Sequence, residues 1–322
     1  SSGSNEGASM RVLLTGGGGF IGSHLCRELV DGGHEVAALS RGDEPWRLRD
    51  TLHKITLVRG DLSDLDGSAG AIERFAPDAI AHLGWQGVAN FDRNALVQVR
   101  NVGWTADLLD LGRRLGVRTF LGLGSQAEYG PKSAVIGPDD ETRPTTLYGE
   151  CKLAAGRIGA RLAAEAGMRF VWMRVFSTFG PADHAYWMVP GLIGSLMRGE
   201  RPALTLGEQR WDFLFVSDAA RAIRLALETE AAAGVYALGS GSAPSLRSTV
   251  EAIRDAIDPA LPLGFGDVAY RPDQVMLLQA DVSALRRDLG WEPRTGIADG
   301  IAETVAWYRA NPWVFAQGEA LR

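Results

Sequence analysis

The sequence has almost no cysteine. Only Cys26 and Cys151 occur among its 322 residues, both in helix-like stretches, and neither makes a CxxC or Cys/His spacing. That count excludes a disulfide scaffold and a zinc centre, so no metal is expected, and a reducing, cytoplasmic setting fits. Basic charge is not in excess: 33 Lys and Arg stand against 39 Asp and Glu, a formal charge of −6, with no dense Lys/Arg run. An electrostatic grip on nucleic acid or on an anionic membrane is therefore not expected. Long apolar runs are missing too. Gly, Arg and Asp interrupt the hydrophobic stretches every few residues, far short of the roughly 18 needed to span a bilayer. Residues 1–9 lack both a basic start and an apolar core and read as a leader left from expression, outside the fold.

What is plentiful is glycine, at 40 residues, in an otherwise ordinary globular composition of 46% hydrophobic and 22% charged residues. From Arg11 onward, short aliphatic runs alternate with helical stretches. Strands are expected at Val12–Thr15, Glu35–Leu39, Ile55–Arg59, Ala79–Leu83, Thr119–Leu123 and Arg169–Val175, with helices at Gly22–Val30, Asn94–Leu115 and Tyr148–Ala166. This alternation predicts an α/β protein: a Rossmann-type doubly wound parallel sheet over residues 10–180. Beyond Gly180-Pro181 the rhythm becomes irregular. A helix near Val189–Arg198, strands at Ala203–Leu206, Asp212–Val216 and Gly234–Leu238, and an Ala-rich helix to about Glu230 with Asp218 as its N-cap are expected there. Helices at Pro244–Ile257, Asp281–Leu289 and Ile297–Arg309 complete a smaller α/β C-terminal lobe, assigned to 181–210 and 241–322, while about 211–240 returns to the sheet.

The glycines cluster usefully in Thr15-Gly16-Gly17-Gly18-Gly19-Phe20-Ile21-Gly22, directly after the first strand. Gly16, Gly19 and Gly22 have the spacing of a dinucleotide turn, in which amides at the helix N-terminus, those of Phe20 and Ile21 among them, hold a pyrophosphate. About twenty residues on, the second strand ends in Ser40-Arg41 where NAD enzymes carry a ribose-binding carboxylate. With no acid there to repel a 2′-phosphate and with Arg41 able to pair with one, NADP(H) is favoured over NAD(H). Asp61-Leu62, after the third strand, stands where such folds contact adenine.

Tyr148 and Lys152 are four residues apart and so share one helix face. An ordinary phenol, with a pKa of about 10, is a poor proton shuttle at neutral pH, and a nearby cation lowers it by roughly 1–3 units. Ser125 ends a preceding strand in Gly-Ser-Gln-Ala-Glu-Tyr-Gly.

These residues, with His82-Leu83-Gly84, Asn101-Val102, Tyr129-Gly130, Arg174, Phe179-Gly180-Pro181, Trp211-Asp212-Phe213, Asp218 and Leu289-Gly290-Trp291, resemble the extended short-chain dehydrogenase/reductase family, in particular its nucleotide-sugar epimerases, dehydratases and reductases. The resemblance runs from Met10 to about Pro312. It implies that Tyr148 is the general acid/base, that Lys152 holds the nicotinamide ribose and lowers the phenol pKa, that Ser125 hydrogen-bonds the reacting oxygen, and that Leu83 and Gly84 line the cofactor. It also implies a homodimer through a four-helix contact of Asn94–Leu115 and Tyr148–Ala166. The 4,6-dehydratases of the family carry an Asp-Glu pair after the Ser/Thr; here Gln126 and Ala127 stand there, and neither can do acid/base work. The Cys and His of 3,5-epimerising members align with Ala127 and Trp187, with His184 close by. Glu128 reads as structural.

For the substrate, Ser177 replaces the diphosphate-binding Asn of relatives, and Arg210 and Arg271 are candidate diphosphate contacts. Trp85, Trp187 and Trp211 fall in loops expected to border the cleft, where an indole can stack on a base or sugar, whereas Trp291, Trp307 and Trp313 are expected in the core. The resulting expectation is an NADPH-dependent reductase of a 4-keto-6-deoxy nucleotide sugar. A nucleotide-sugar 4-epimerase holding its cofactor, a reductase of a non-nucleotide carbonyl and a non-catalytic NADP(H)-sensing protein remain as alternatives.

Overall fold

The computed structural model describes residues 9–319. The expected leader therefore lies, Ser9 excepted, outside the described residues. The first part of the chain is β1 (Arg11–Thr15), α1 (Phe20–Asp31), β2 (Glu35–Ser40), β3 (Thr56–Arg59), α2 (Asp66–Phe75), β4 (Ala79–His82), α3 (Val97–Arg114), β5 (Thr119–Ser125), α4 (Leu147–Glu165) and β6 (Arg169–Val175). There follow β7 (Ser177–Phe179), α5 (Met188–Met197), β8 (Ala203–Leu204), β9 (Arg210–Trp211), β10 (Phe213–Phe215), α6 (Val216–Glu228) and β11 (Gly234–Leu238). The chain ends with α7 (Leu246–Ile257), β12 (Gly264–Phe265), β13 (Leu277–Leu278), α8 (Ser283–Leu289), α9 (Ile297–Ala310) and α10 (Trp313–Glu319).

Seven strands form one parallel sheet in the order β11-β6-β5-β4-β1-β2-β3. Its central strands are buried on both faces, as a parallel sheet covered by crossover helices must be. Alternate side chains feed opposite cores. Leu14 joins Leu25, Leu29 and Ile223 of α1 and α6, while Leu13 joins Ile72, Leu108 and Trp172 beside α2, α3 and α4. A third core, including Phe179, Ile193, Ile253 and Val305, unites α5, α7 and α9. Trp172 is seated by missing side chains: a Cβ on Gly122 would come within 2.4 Å of its ring, and one on Gly156 within 2.8 Å of its indole nitrogen. Among the described residues, no helix is long and apolar enough to cross a membrane.

Four local expectations need correction. The strand expected over Asp212–Val216 is broken: β9 pairs with β13, β10 pairs with β7, and Val216 already belongs to α6. Asp212 sits at the break with its carboxylate fully buried, accepting from Ser240 N and Ser240 Oγ at 2.7 Å each and from Gly241 N and Ala280 N at 3.0 Å each. Asp218 is not the N-cap of α6. It lies inside the first turn and accepts from the backbone of Arg294 (2.9 Å) and Thr295 (2.8 Å), tying down the approach to α9. Helix α7 begins at Leu246, after Pro244, because Ser245 caps it through a bond from Ser248 N. Trp291 is fully buried, but Trp313, expected in the core, is 39% exposed.

Asp212→Ala leaves three backbone donors and a hydroxyl without their acceptor. The loss of stability is expected to be on the order of 3 kcal/mol, read as a lowered urea midpoint at unchanged slope.

Candidate active site

The carboxyl ends of β1, β4 and β5 open on one crevice, at the point where strand order reverses between β1 and β4. The glycine turn forms its floor. Gly16 has a positive φ of 72°, and a Cβ there would sit 2.6 Å from Gly84 N; one on Gly22 would sit 2.1 Å from Gly16 O. Gly19 caps α1 without a side-chain hydrogen bond, so the first-turn amides of Phe20, Ile21 and Gly22 have no side-chain partner. Gly84 N donates to Thr15 Oγ1 at 3.1 Å, and Leu62 packs against Gly84. Thr15 Oγ1 lies 2.8 Å from His82 Nδ1, His82 Nε2 lies 3.0 Å from Thr105 Oγ1, and Thr105 donates to Asn101 O at 2.8 Å. Burial, helped by the Lys152 charge, lowers His82 to about 3, so it is neutral. Asn101 also holds both backbone groups of Gln86 at 2.9 Å, fixing the loop after β4.

At the outer end, Ser40 donates to Gly42 O (2.9 Å), and Arg41, 74% exposed, lies 3.7 Å from Asp61. Asp61 also accepts from Ser63 N and Ser63 Oγ at 2.8 Å each. A backbone cradle that any Cβ would fill, an uncapped helix end and a polar pair at the second strand's tip fit a dinucleotide cofactor.

The side chains expected to react come from two elements. Ser125 ends β5 and forms a reciprocal cap with Glu128: its Oγ accepts from Ala127 N (3.2 Å), and Glu128 Oε1 accepts from Ser125 N (2.8 Å). Glu128, fully buried, also accepts from Trp172 Nε1 (3.0 Å) and Arg174 Nε (2.6 Å). Tyr148 and Lys152 lie in the first turns of α4, which Thr146 caps. Lys152 Nζ donates to Leu123 O at 2.7 Å and stands 3.9 Å over the Trp85 ring and 5.9 Å from that of Tyr148. Trp85 meets Tyr148 edge-on, with centroids 6.3 Å apart, and its indole donates to Gln98 Oε1.

Burial raises the Tyr148 phenol above its ordinary value, while its hydrogen bond with Ser125 and the Arg93 charge pull it back. Burial lowers Lys152 to about 7, against the opposing pull of Glu128.

Of the expected substrate residues, Trp85 and the half-buried Gln126 stand with Ser125 and Tyr148. Ser177 and Trp211 form a second pair, the indole donating to the Ser177 hydroxyl at 2.8 Å. Trp187 is half-buried at the start of α5, beside Tyr186. Arg210 and Arg271 are exposed on the smaller lobe; Arg210 Nε donates to Ala243 O. His184 stacks on Tyr186 and faces Arg47, and burial lowers it to about 4. Arg93 went unnoticed in the sequence. Its guanidinium lies 5.0 Å from the Tyr148 ring centroid, and its backbone carbonyl accepts from Tyr148 N at 2.8 Å.

Lys152 also makes stability depend on pH. Between about 7 and the ordinary 10.5, the unfolded chain holds a proton that the folded chain does not, so raising the pH through this window stabilises the fold. Relative to Lys152→Met, the ligand-free protein is expected to gain on the order of a few kcal/mol across that window, measured by urea unfolding at a series of pH values.

Comparison with known proteins agrees with this geometry. The family model described as "NAD dependent epimerase/dehydratase family" matches residues 12–239. A dTDP-glucose 4,6-dehydratase of Actinoplanes sp. is 31% identical over 94% of this chain and 98% of its own length. A UDP-glucose 4-epimerase of Bacillus subtilis is 26% identical over 94% and 98%. Among solved structures, MoeE5 in complex with UDP-glucuronic acid and NAD superposes with a TM-score of 0.81 at 30% identity, covering 94% of this chain and 99% of that one. With a parallel seven-stranded sheet, a glycine-rich first turn and a Ser, Tyr and Lys grouped beside it, this chain belongs to the NAD-dependent epimerase/dehydratase family, the nucleotide-sugar group of the extended short-chain dehydrogenase/reductases.

Proposed function

We propose that this chain is an NADPH-dependent reductase of the 4-keto group of a deoxy nucleotide sugar. The observation that carries the reading is the composition of the site. Ser125 and Tyr148 are the hydroxyl groups at the end of β5 and the start of α4, and the two positions after Ser125 are filled by Gln126 and Ala127 rather than by acids. Such a site can exchange a proton with one carbonyl or alcohol oxygen but holds no acid/base pair for eliminating water across a C–C bond.

A dinucleotide whose pyrophosphate is held by the glycine cradle would supply the hydride chemistry through its nicotinamide. The chain's own residues manage the proton and the oxygen. Ser125 donates a hydrogen bond to the carbonyl and draws charge onto its oxygen. Tyr148 gives that oxygen its proton. Lys152, held against Leu123 O and Trp85 and 5.9 Å from the Tyr148 ring, keeps a partial charge beside the phenol and would hold the ribose of a bound cofactor. Arg41 supports the preference for NADP(H): its ion pair with Asp61 is long, at 3.7 Å, and its own side chain is 74% exposed, so exchanging that pair for a 2′-phosphate costs little. A second reading, 4-epimerisation, uses the same three side chains in both directions. It is favoured by the likeness to the UDP-glucose 4-epimerase of Bacillus subtilis.

We also propose a homodimer through α3 and α4, which pack on each other and expose Val99, Ile158 and Leu162 on their outer faces. Light scattering at micromolar concentration should give twice the 34.5 kDa mass; a monomer would refute the assembly.

The assay is reduced-nicotinamide absorbance with NADPH or NADH and a panel of 4-keto-6-deoxy sugars on different nucleoside diphosphates. Stoichiometric NADPH loss with one of them is expected. Interconversion of an intact nucleotide sugar without net oxidation would select the epimerase instead. Tyr148→Phe should retain cofactor binding and lose roughly 10²–10⁴-fold in turnover; wild-type turnover would remove the assigned proton donor.

A further inference from the structure

Arg93 lies in the loop before α3 and belongs to no motif of the site. Three observations connect it to the chemistry. Its guanidinium carbon is 5.0 Å from the centre of the Tyr148 ring. Its backbone carbonyl accepts from Tyr148 N, so the loop and the first turn of α4 are held in register. Its Nε is sealed from solvent and has no hydrogen-bond partner among the described residues. A buried guanidinium N–H left without an acceptor is unfavourable, and what compensates it is the group it faces. That group is an aromatic ring whose attraction for a cation grows when the phenol becomes a phenolate.

We infer that Arg93 is a positioning residue that acts through Tyr148, supplying the permanent positive charge that makes the phenol a usable acid and base. Lys152 cannot fill this role alone. The groups that act on the Tyr148 phenol are Ser125 on β5, Glu128 in the turn after it and Arg93, with Lys152 on the same helix 5.9 Å from the ring. Ser125 carries no charge. Glu128 is negative and opposes phenolate formation, though Arg174 lies 2.6 Å from it. Lys152, desolvated against Trp85 and Leu123, gives up its proton near 7 and is mostly neutral at the higher pH where a buried phenol would ionise. A guanidinium stays charged throughout. The lysine is thus a donor that varies with pH, and the arginine is a fixed charge.

This inference rests on Tyr148 as the proton-exchanging group, so the experiment measures the phenol and needs no sugar. The tyrosinate ultraviolet band is titrated in the wild type, with and without added NADP⁺, and the titration of Tyr148→Phe is subtracted to isolate Tyr148. Arg93→Gln is expected to move the Tyr148 midpoint up by about one pH unit, and Arg93→Lys to return most of that change. Because the Arg93–Tyr148 backbone bond survives any side-chain substitution, the loop keeps its anchor; Arg93→Met provides the same comparison if the Gln variant fails to fold. An unchanged midpoint in Arg93→Gln overturns the inference, and so does a raised substrate KM with an unmoved midpoint, which would make Arg93 a substrate contact instead. If no 4-keto sugar is ever reduced but the midpoint still moves, the proposed substrate falls and the role of Arg93 stands.

Discussion

The site depends on one buried negative charge. Glu128 has no exposed surface, and its two oxygens serve Ser125 N, Trp172 Nε1 and Arg174 Nε. Arg174 in turn donates to Pro138 O and lies over the Tyr129 ring. A carboxylate so placed is tolerable only because its acceptor positions are filled, and removing any partner would leave an uncompensated charge in the protein interior. The geometric consequence is that Ser125 is fixed to two strands at once. It belongs to β5 and is held through Glu128 to side chains of β6.

The same charge explains why the site needs cations. Glu128 and burial both raise the Tyr148 phenol, and both act before any ligand arrives. The hydrogen bond with Ser125 and the Arg93 charge counter them, while at Lys152 the apolar wall that shapes the cleft strips water from the ammonium. Packing and electrostatics are therefore in tension at Lys152. The tension is what gives the lysine a proton affinity within the neutral range, where an exposed lysine would have none of interest.

Much of this was legible beforehand, for identifiable reasons. The strands of the main sheet stand out because doubly buried parallel strands read as short aliphatic runs. The glycine turn is readable because only glycine tolerates the approach of Gly84 N to Gly16 and of Gly16 O to Gly22. Tyr148 and Lys152 are readable because helical spacing alone puts them on one face. What escaped is what sequence distance hides. Arg93 is separated from Tyr148 by helix α3 and strand β5 and sits in a loop without periodicity. Helix α2, interrupted by Gly67 and Gly70, gave too weak a helical signal. Asp218 looked like a cap because it precedes an Ala-rich run, yet its partners, Arg294 and Thr295, lie more than seventy residues away. The strand expected at Asp212 is broken for a similar reason, by bonds its carboxylate accepts from two distant backbone segments, Ser240-Gly241 and Ala280.

The chain of hydrogen bonds beneath the crevice has a direction. Thr105 spends its only proton on Asn101 O, so it must accept from His82 Nε2, which leaves His82 Nδ1 to accept from Thr15, while Thr15 also accepts from Gly84 N. Every proton points along the row toward the Asn101 carbonyl, which cannot pass it on. Such a one-way row conducts nothing. It is insulation: the row is polar enough to hold two strands and a loop in register, yet it offers a proton no path along its length.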